Sequence, residues 1–468
     1  MKKETSFDVI VIGAGAAGLN IAGFMNHAGF RVLLVEREEA RIGGDCLNFG
    51  CIPSKALIHI ARMVREGSTL PRFGLSVGGR IDIKKVMEYV HKKQEKIRTH
   101  ENVEYLRTKG MTVVIGHARF VSRTEICVGD SVYKGKKIVI ATGSVPRTLL
   151  IPGIEKIPTY TNETIFSLET LPKNLTVIGG GPVGVELGQA FSYLGSKVTI
   201  LGHDFLSKEH PEVRAVMQKH LKNEGIDFFI GDEVKEIINE GVVIVHDGEE
   251  KVVHTDAILL SVGRVVSLDT LDVLNADIAL DKKGALILDQ YLRTTNKQVF
   301  ACGDVVGEHL FTHAAELHAS TILQNFFSPL KKKHNTAQMA WVTYTSPEIA
   351  TFGESEDSLK MKRVRFKTVT YEFTRDDRAI VDENTEGTVK LFVNHRGKIL
   401  GGFVVHQLAG EIVQELLLLK ALKKPLSKLL KKVYPYPTAT RANRSLALSE
   451  LAHTLTPLRK AVLHLLFR

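Results

Sequence analysis

The sequence predicts an α/β protein of three modules, two of βαβ type and a last one of α+β type. Three observations carry that prediction. One pattern occurs twice: "DVIVIGAGAAGLNIAGFMNHAGFRVLLVE" (8–36) and "LTVIGGGPVGVELGQAFSYLGSKVTIL" (175–201) each run from an apolar, β-rich segment through Gly-x-Gly-x-x-Gly into a small-residue helix and a short β-branched strand. Apolar runs that end in a glycine turn or an acid recur around those units, as "KKIVIATGS" (136–144), "DAILLSVGR" (256–264) and "TNKQVFACGD" (295–304), and read as buried strands. After "SPLKKKHN" (328–335) the β/α rhythm changes. Segments 340–353, 366–373, 387–394 and 398–405 read as antiparallel strands, and two helices follow within 408–432 and 439–452.

The glycines of the repeat are Gly13, Gly15 and Gly18 in the first unit, with Ala16 between them, and Gly179, Gly181 and Gly184 in the second. The first glycine of each set permits a tight turn, the second lets the backbone approach a pyrophosphate, and the third lets helix pack on strand. The helix that follows turns its free N–H groups toward the phosphates. Two such sites in one chain imply two nucleotides, most naturally a flavin and a nicotinamide. The expected architecture is therefore two nested Rossmann-like dinucleotide-binding domains, at 1–152 with 270–335 and at 153–269. A third domain spans 336–455 and a basic tail 456–468.

Composition bounds the function class. A chain of 468 residues with 44% hydrophobic and 24% charged residues builds a large core without disulfide staples, and four cysteines are too few for a secreted scaffold. No signal-peptide pattern opens the chain, and no uncharged apolar stretch reaches 18 residues, so a reducing cytoplasm is the expected location. The net charge of +10 gathers largely after residue 330, in "KKKH" (331–334), "KALKKPLSKLLKK" (420–432) and the tail. Without zinc-finger spacing or RNA-binding aromatics this reads as solvated basic faces, and no nucleic-acid partner is expected.

Glu36 closes the second strand of the first unit, where an acid accepts hydrogen bonds from ribose hydroxyls. The equivalent position of the second unit is Gly202, which does not repel a 2′-phosphate, while His203 and Lys208 supply positive charge nearby. NADPH is expected over NADH on that ground, with NADH as the alternative. Asp304 is placed to bind ribityl hydroxyls, and a helix start near 310–313 favours negative charge on a reduced flavin ring. The expected flavin-side residues further include Gly44 and Asp45, then Ala118, Thr142 and Gly143, then Gly303, Phe311, Thr312 and His313. On the nicotinamide side Gly263 is added.

Cys46 and Cys51 lie in "GGDCLNFGCIPSK" (43–55), on a turn leading into a helix near Pro53. A cysteine at a helix N-terminus has a depressed pKa and is the more nucleophilic. A metal site needs further ligands at suitable spacing, and Cys127 and Cys302 stand alone in strand-like contexts, so no metal ligand is assigned. A redox-active disulfide beside a flavin is the favoured reading. Lys55, one helical turn after Cys51, is within reach of the flavin ring, and Glu186 can pair with it near the nicotinamide.

The segments "GAGAAG", "GGDCLNFGCIPSK", "ATGSVPR", "GGGPVGVELG", "VFACGD" and "VTYTSPEIATFG" resemble the class I flavoprotein disulfide reductases, the family of lipoamide dehydrogenase, glutathione reductase and mercuric ion reductase. The resemblance runs from residue 8 to about 445. It implies FAD, a reduced pyridine nucleotide and a homodimer built on the C-terminal module. It further implies that Cys46 is the interchange thiol, Cys51 the flavin-facing sulfur, and Lys55–Glu186 an ion pair behind the flavin.

At one place the sequence departs from the family pattern. Dithiol-exchanging members carry a His before Pro-Thr and a Glu five residues later, whereas "YPYPTATRAN" (434–443) has Tyr436 and Arg441 there. A tyrosine with an ordinary pKa of about 10 is a poor proton shuttle at neutral pH. The resemblance thus leans to the mercuric reductase branch, with Tyr436 in the catalytic set, although the C-terminal cysteine pair of that branch is not in the sequence. The expected acceptor is a small molecule or metal ion, such as a quinone, Hg(II) or Cu(II). A lipoyl-type disulfide reductase, or a protein-bound electron donor to a membrane or quinone pathway, is the alternative. The tail "TPLRKAVLHLLFR" reads as an amphipathic helix, packed on the dimer or lying on a membrane surface.

Overall fold

The structure, a computed structural model, describes residues 5–266, 268, 270–453 and 455–467. The chain forms two compact units, residues 1–204 with 225–334 and residues 205–224 with 335–468.

The first unit holds both nucleotide-binding patterns. Its larger sheet has seven strands. Ser6–Ile12 lies between Val32–Glu36 and Ser131–Ile140, parallel to both, and Val299–Ala301 runs parallel to the far side of Ser131–Ile140. The central strands end in runs of Val, Ile and Leu because both faces of the sheet are covered there. The helices Ala16–His27 and Thr312–Phe327 pack against one face through Ile21, Ala22, Ala315 and Ile322. A second sheet has the order Asp227–Ile230, Lys197–Phe205, Asn174–Gly180, Ala257–Leu260, Thr159–Tyr160, with the helix Pro182–Leu194 following its second glycine motif. Each motif sits where a strand hands over to a helix, which is the position expected of it.

Most candidate site residues of the first unit therefore lie near a strand end or a helix start. Strand order brings together ends that are far apart in sequence. "IATG" (140–143) follows the strand paired with Ser6–Ile12, and "CGD" (302–304) follows the strand paired next to it.

The second unit is an antiparallel five-stranded sheet, in the order Ala340–Thr343, Glu348–Gly353, Ile399–His406, Thr388–Val393, Lys367–Glu372. The helices Ala409–Ala421 and Arg441–His453 share its core through Ile412, Leu416, Ala442 and Leu446. The expected helix within 408–432 stops at Ala421: Lys423 adopts a positive φ of 54° and Pro425 cannot continue an α-helix, so a 3₁₀ turn at Leu426–Lys431 takes over. Residues Phe205–Glu224, expected within the second nucleotide domain, group with this unit instead. Their helix Pro211–Asn223 is tied to it by Glu212 to Lys390 and by His220 Nδ1 to Glu386 at 2.9 Å. The fold is thus α/β with a C-terminal α+β module.

Candidate active site

The first glycine motif builds a cradle with no room for side chains. Gly13 has a φ of 106°, and a Cβ there would lie 2.3 Å from the carbonyl oxygen of Ala141; a Cβ on Gly44 would lie 2.5 Å from the Cα of Gly15. The helix Ala16–His27 is capped by Gly15 without a side-chain acceptor, so its N-terminal N–H groups are free to receive an anion. Glu36 is buried, and its carboxylate accepts from the backbone N–H of Ala14 at 2.7 Å and of Arg37 at 2.9 Å. A carboxylate has about four acceptor positions, so capacity remains for ribose hydroxyls. Glycine cradle, open helix terminus and buried acid fit a dinucleotide such as FAD.

The second motif repeats the arrangement. A Cβ on Gly179 would lie 2.3 Å from Ser261 O, and Gly181 starts the helix Pro182–Leu194 with open space around it. Gly202 lies against the motif itself: a Cβ there would be 2.9 Å from the amide nitrogen of Gly180, which is the counterpart of Ala14. The strand expected to end at Leu201 continues to Phe205. His203 is exposed on it, Gly263 is exposed after the strand Ala257–Leu260, and Lys208 falls in the second unit.

The cysteine segment folds as two helices broken at Gly50. Cys46 lies within the short helix Gly44–Asn48, and the next helix starts at Cys51 itself rather than near Pro53. Cys51 thus occupies the first helical position, at the positive end of a 17-residue helix. Its Sγ lies 3.3 Å from Thr312 Oγ1, at the start of the helix Thr312–Phe327, so two helix N-termini converge on one sulfur. Both cysteines are free thiols here, each partly buried. The Cys46 thiol hydrogen-bonds to Cys51, and this bond, with help from Thr312 and the Lys55 charge, pulls the Cys51 thiol down to about 6 against the cost of burial. The same bond, then burial and the Cys51 charge, push the Cys46 thiol up. The pair is therefore polarised, with Cys51 the thiolate and Cys46 the proton holder.

One turn along the helix, Lys55 Nζ donates to Glu186 Oε2 at 2.7 Å; Glu186 is buried on the helix of the second glycine motif. The expected ion pair is present, and it links the cysteine helix to the nicotinamide side. The other flavin-side residues lie at the ends of the same sheet: Thr142 and Gly143 after the strand Ser131–Ile140, and Gly303 and Asp304 after Val299–Ala301. Ala118 is buried in the strand Ala118–Ser122, and His313 is exposed with its ring stacked on Phe311 at 5.2 Å.

Four features of this site go beyond the roles read from sequence. Arg264, at the end of "SVGR", donates from Nη2 to Asp45 Oδ1 at 3.0 Å and to Ser144 O at 2.9 Å, and from Nε to Ser144 Oγ at 2.7 Å. Ser144 Oγ in turn donates to Asp304 Oδ2 at 2.6 Å, and Asn162 Nδ2 to Asp45 Oδ1 at 3.3 Å. This network spans Asp45, next to Cys46, and Asp304, the expected ribityl ligand. Burial raises the Asp45 carboxyl above its ordinary range, and the Arg264 charge opposes that rise.

Second, the carboxylate of Glu101 packs against Gly43, where a Cβ would lie 2.7 Å from its Oε2. Burial raises its pKa, and its charge adds to the upward push on Cys46. Third, Thr312 supplies the hydroxyl beside Cys51. Fourth, His318 is buried, and its Nδ1 accepts from the N–H of Gly303 at 3.2 Å. Burial lowers its pKa to about 4, so a neutral ring props the turn that presents Asp304. The "GR" pair at a strand end was the one local sign of Arg264. The others needed the chain path.

Tyr436 lies in the second unit, with its ring 65% exposed. Its hydroxyl donates to Asp377 Oδ2 at 2.9 Å, and the Arg441 guanidinium sits 5.0 Å over its ring. The hydrogen bond to Asp377 raises its pKa further. The bond to Asp377 favours the protonated phenol, and the Arg441 charge opposes it.

Comparisons with known proteins agree with this geometry. A family profile described as "Pyridine nucleotide-disulphide oxidoreductase" matches residues 7–322, and one described as the dimerisation domain of the same family matches residues 339–447. A mercuric reductase of Lysinibacillus sphaericus is 30% identical over 418 residues, covering 88% of this chain and 76% of that protein. A dihydrolipoyl dehydrogenase of Mycoplasma genitalium is 30% identical over 450 residues, covering 92% of this chain and 96% of that protein. Among solved structures, the Cu(II) complex of the HOCl-induced flavoprotein disulfide reductase RclA from Escherichia coli superposes with a TM-score of 0.83 at 26% identity, over 94% of this chain and 99% of that one. The dimerisation domain supports a homodimer. Two glycine cradles and a polarised cysteine pair, together with profiles that span most of the chain, place the protein among the class I pyridine nucleotide-disulphide oxidoreductases, FAD-dependent enzymes with a redox-active cysteine pair.

Proposed function

We propose that the protein is an NADPH-preferring reductase whose Cys46–Cys51 pair delivers electrons to a quinone or a metal ion rather than to a dithiol substrate. FAD, when bound, supplies two-electron transfer between the reduced nicotinamide and the cysteine pair. The residues of the chain do the rest. Gly13, Gly15 and Gly18 give the pyrophosphate its backbone cradle, and Glu36 and Asp304 receive the sugar and ribityl hydroxyls. Reduction of the disulfide leaves Cys51 as a thiolate, held by Thr312 and the Lys55 charge, and Cys46 as a thiol. Reoxidation returns the S–S bond and passes two electrons to the acceptor. A quinone takes both electrons with the Cys46 proton and one proton from water and leaves as hydroquinone, whereas one Hg(II) takes both electrons, or two Cu(II) ions take one each, and the thiol proton goes to water.

The observation that carries the acceptor reading is Tyr436, which stands where dithiol-exchanging relatives would need a proton shuttle and whose phenol is exposed and bonded to Asp377. The absence of an acid at Gly202 supports NADPH. The experiment is steady-state NADPH and NADH oxidation with Hg(II), Cu(II), a soluble quinone and lipoamide, for wild type and Cys46→Ser. Metal or quinone turnover with NADPH that falls by about 10²-fold or more in Cys46→Ser is the expected result. Lipoamide as the best acceptor would overturn the acceptor assignment, and quinone turnover that survives the mutation would take the cysteine pair off the path.

A further inference from the structure

Among the described residues, the helix Pro457–Leu466 contributes no side chain to the core of the second unit. It is nevertheless well formed: Thr456 caps it, accepting from the N–H of Arg459 at 3.3 Å, and Pro457 takes the first helical position. Leu458, Val462, Leu465 and Leu466, at spacings i, i+4, i+7 and i+8, form one apolar stripe with exposures of 75%, 47%, 83% and 69%. Lys460 and His464 lie one turn apart on the opposite side, and Arg459 borders the stripe. From Leu451 to Arg468 the sequence contains no Asp or Glu and three Lys or Arg, of which Arg468 lies outside the described residues.

We infer that this helix docks the enzyme on an anionic lipid bilayer. Exposing four large aliphatic side chains on one stripe is unfavourable in water, so the stripe calls for a cover. The basic flanks specify the charge of that cover. An acid-free, basic amphipathic helix complements anionic headgroups, with its aliphatic face in the acyl boundary and its cations at headgroup level. At ten residues the helix is about 15 Å long, half of the roughly 30 Å hydrocarbon core, so it lies in the interface plane and does not span it. The competing cover is a second copy of the chain. Against it, the match to the dimerisation domain ends at residue 447, ten positions before the helix begins, so the helix lies outside the module that the family uses to dimerise. A surface-bound enzyme would stand beside membrane-dissolved acceptors, which goes beyond the acceptor reading above without depending on it.

The test is co-sedimentation of FAD-loaded full-length protein with phosphatidylcholine vesicles, with and without phosphatidylglycerol. A form truncated after Leu455 and the double variant Leu458→Asp/Leu465→Asp are run alongside. The full chain should partition onto phosphatidylglycerol-containing vesicles about tenfold more than either altered form, and more than onto phosphatidylcholine alone. Added salt should weaken that binding. Because the helix is outside every core, FAD content and turnover with a soluble acceptor should match wild type in both altered forms. Equal pelleting of full-length and truncated protein, or no pelleting of either, overturns the inference. So does a truncation that shifts the sedimentation coefficient in lipid-free buffer to that of a smaller assembly, which would assign the stripe to a second copy.

Discussion

Arg264 Nη2 lies 3.0 Å from Asp45 Oδ1, across 219 positions of sequence, and the same guanidinium grips Ser144, which donates to Asp304. The residue beside the expected interchange cysteine and the expected ribityl ligand are thereby held by one rigid, planar cation. Arg264→Ala leaves the partly exposed Asp45 carboxylate short of its counter-charge, and the expected cost is about 1 kcal/mol of stability in denaturant unfolding. Arg264→Lys should recover only part, because a point-charge ammonium cannot hold Ser144 and Asp45 with a planar fork. Equal stability of all three proteins would show that the network is ornamental.

The polarised thiol pair makes a pH-dependent prediction. In the reduced protein, alkylation at Cys51 should rise with pH through a midpoint near 6, while Cys46 stays unreactive until far higher pH. The largest cause of the Cys51 shift is the hydrogen bond from Cys46, so Cys46→Ala should move the midpoint up, toward the ordinary thiol value of about 8.5. Lys55→Met should move it the same way by a smaller amount, since the Lys55 charge ranks below both hydrogen bonds. Mass-spectrometric alkylation profiles settle this, and a Cys51 midpoint that Cys46→Ala leaves in place would contradict the assigned cause.

Glu101 provides a check on Cys46. Its carboxylate raises the Cys46 thiol, so Glu101→Gln should lower it and speed alkylation of Cys46 at fixed alkaline pH by about two- to fivefold, read in a Cys51→Ala background. A slower reaction would mean that Glu101 assists deprotonation instead of opposing it.

Gly202 tests the nicotinamide reading. In Gly202→Glu a new carboxylate stands where the first unit has Glu36, and its Cβ presses within 2.9 Å of the Gly180 nitrogen. The KM for NADPH should rise by about tenfold or more through repulsion of the 2′-phosphate, and that for NADH by less. An equal rise for both would assign the effect to backbone displacement alone.

The fold and the location of the site were largely legible in the sequence, and the reason is local. A tight turn with a φ of 106° at Gly13, a helix start at Gly15, and an acid at the end of the Val32–Glu36 strand are demands that a few consecutive residues meet by themselves. The β/α alternation then determines which ends of the sheet carry them. The cysteine helix was legible on the same ground, down to Lys55 one turn after Cys51, although its start lay two residues earlier than Pro53 suggested, because the break at Gly50 leaves Cys51 as the first helical residue.

Only the tertiary structure decided the partners. Thr312 beside Cys51, Glu101 against Gly43, and Arg264 between Asp45 and Asp304 join segments 40 to 261 positions apart. Such pairings depend on strand order and on which loop crosses which strand end, and no local periodicity encodes them. The ionisation of the cysteine pair was likewise a tertiary outcome. Sequence placed one thiol at a helix terminus, but the hydrogen bond that separates Cys51 from Cys46 exists because the break at Gly50 folds the two sulfurs together beneath a second helix N-terminus.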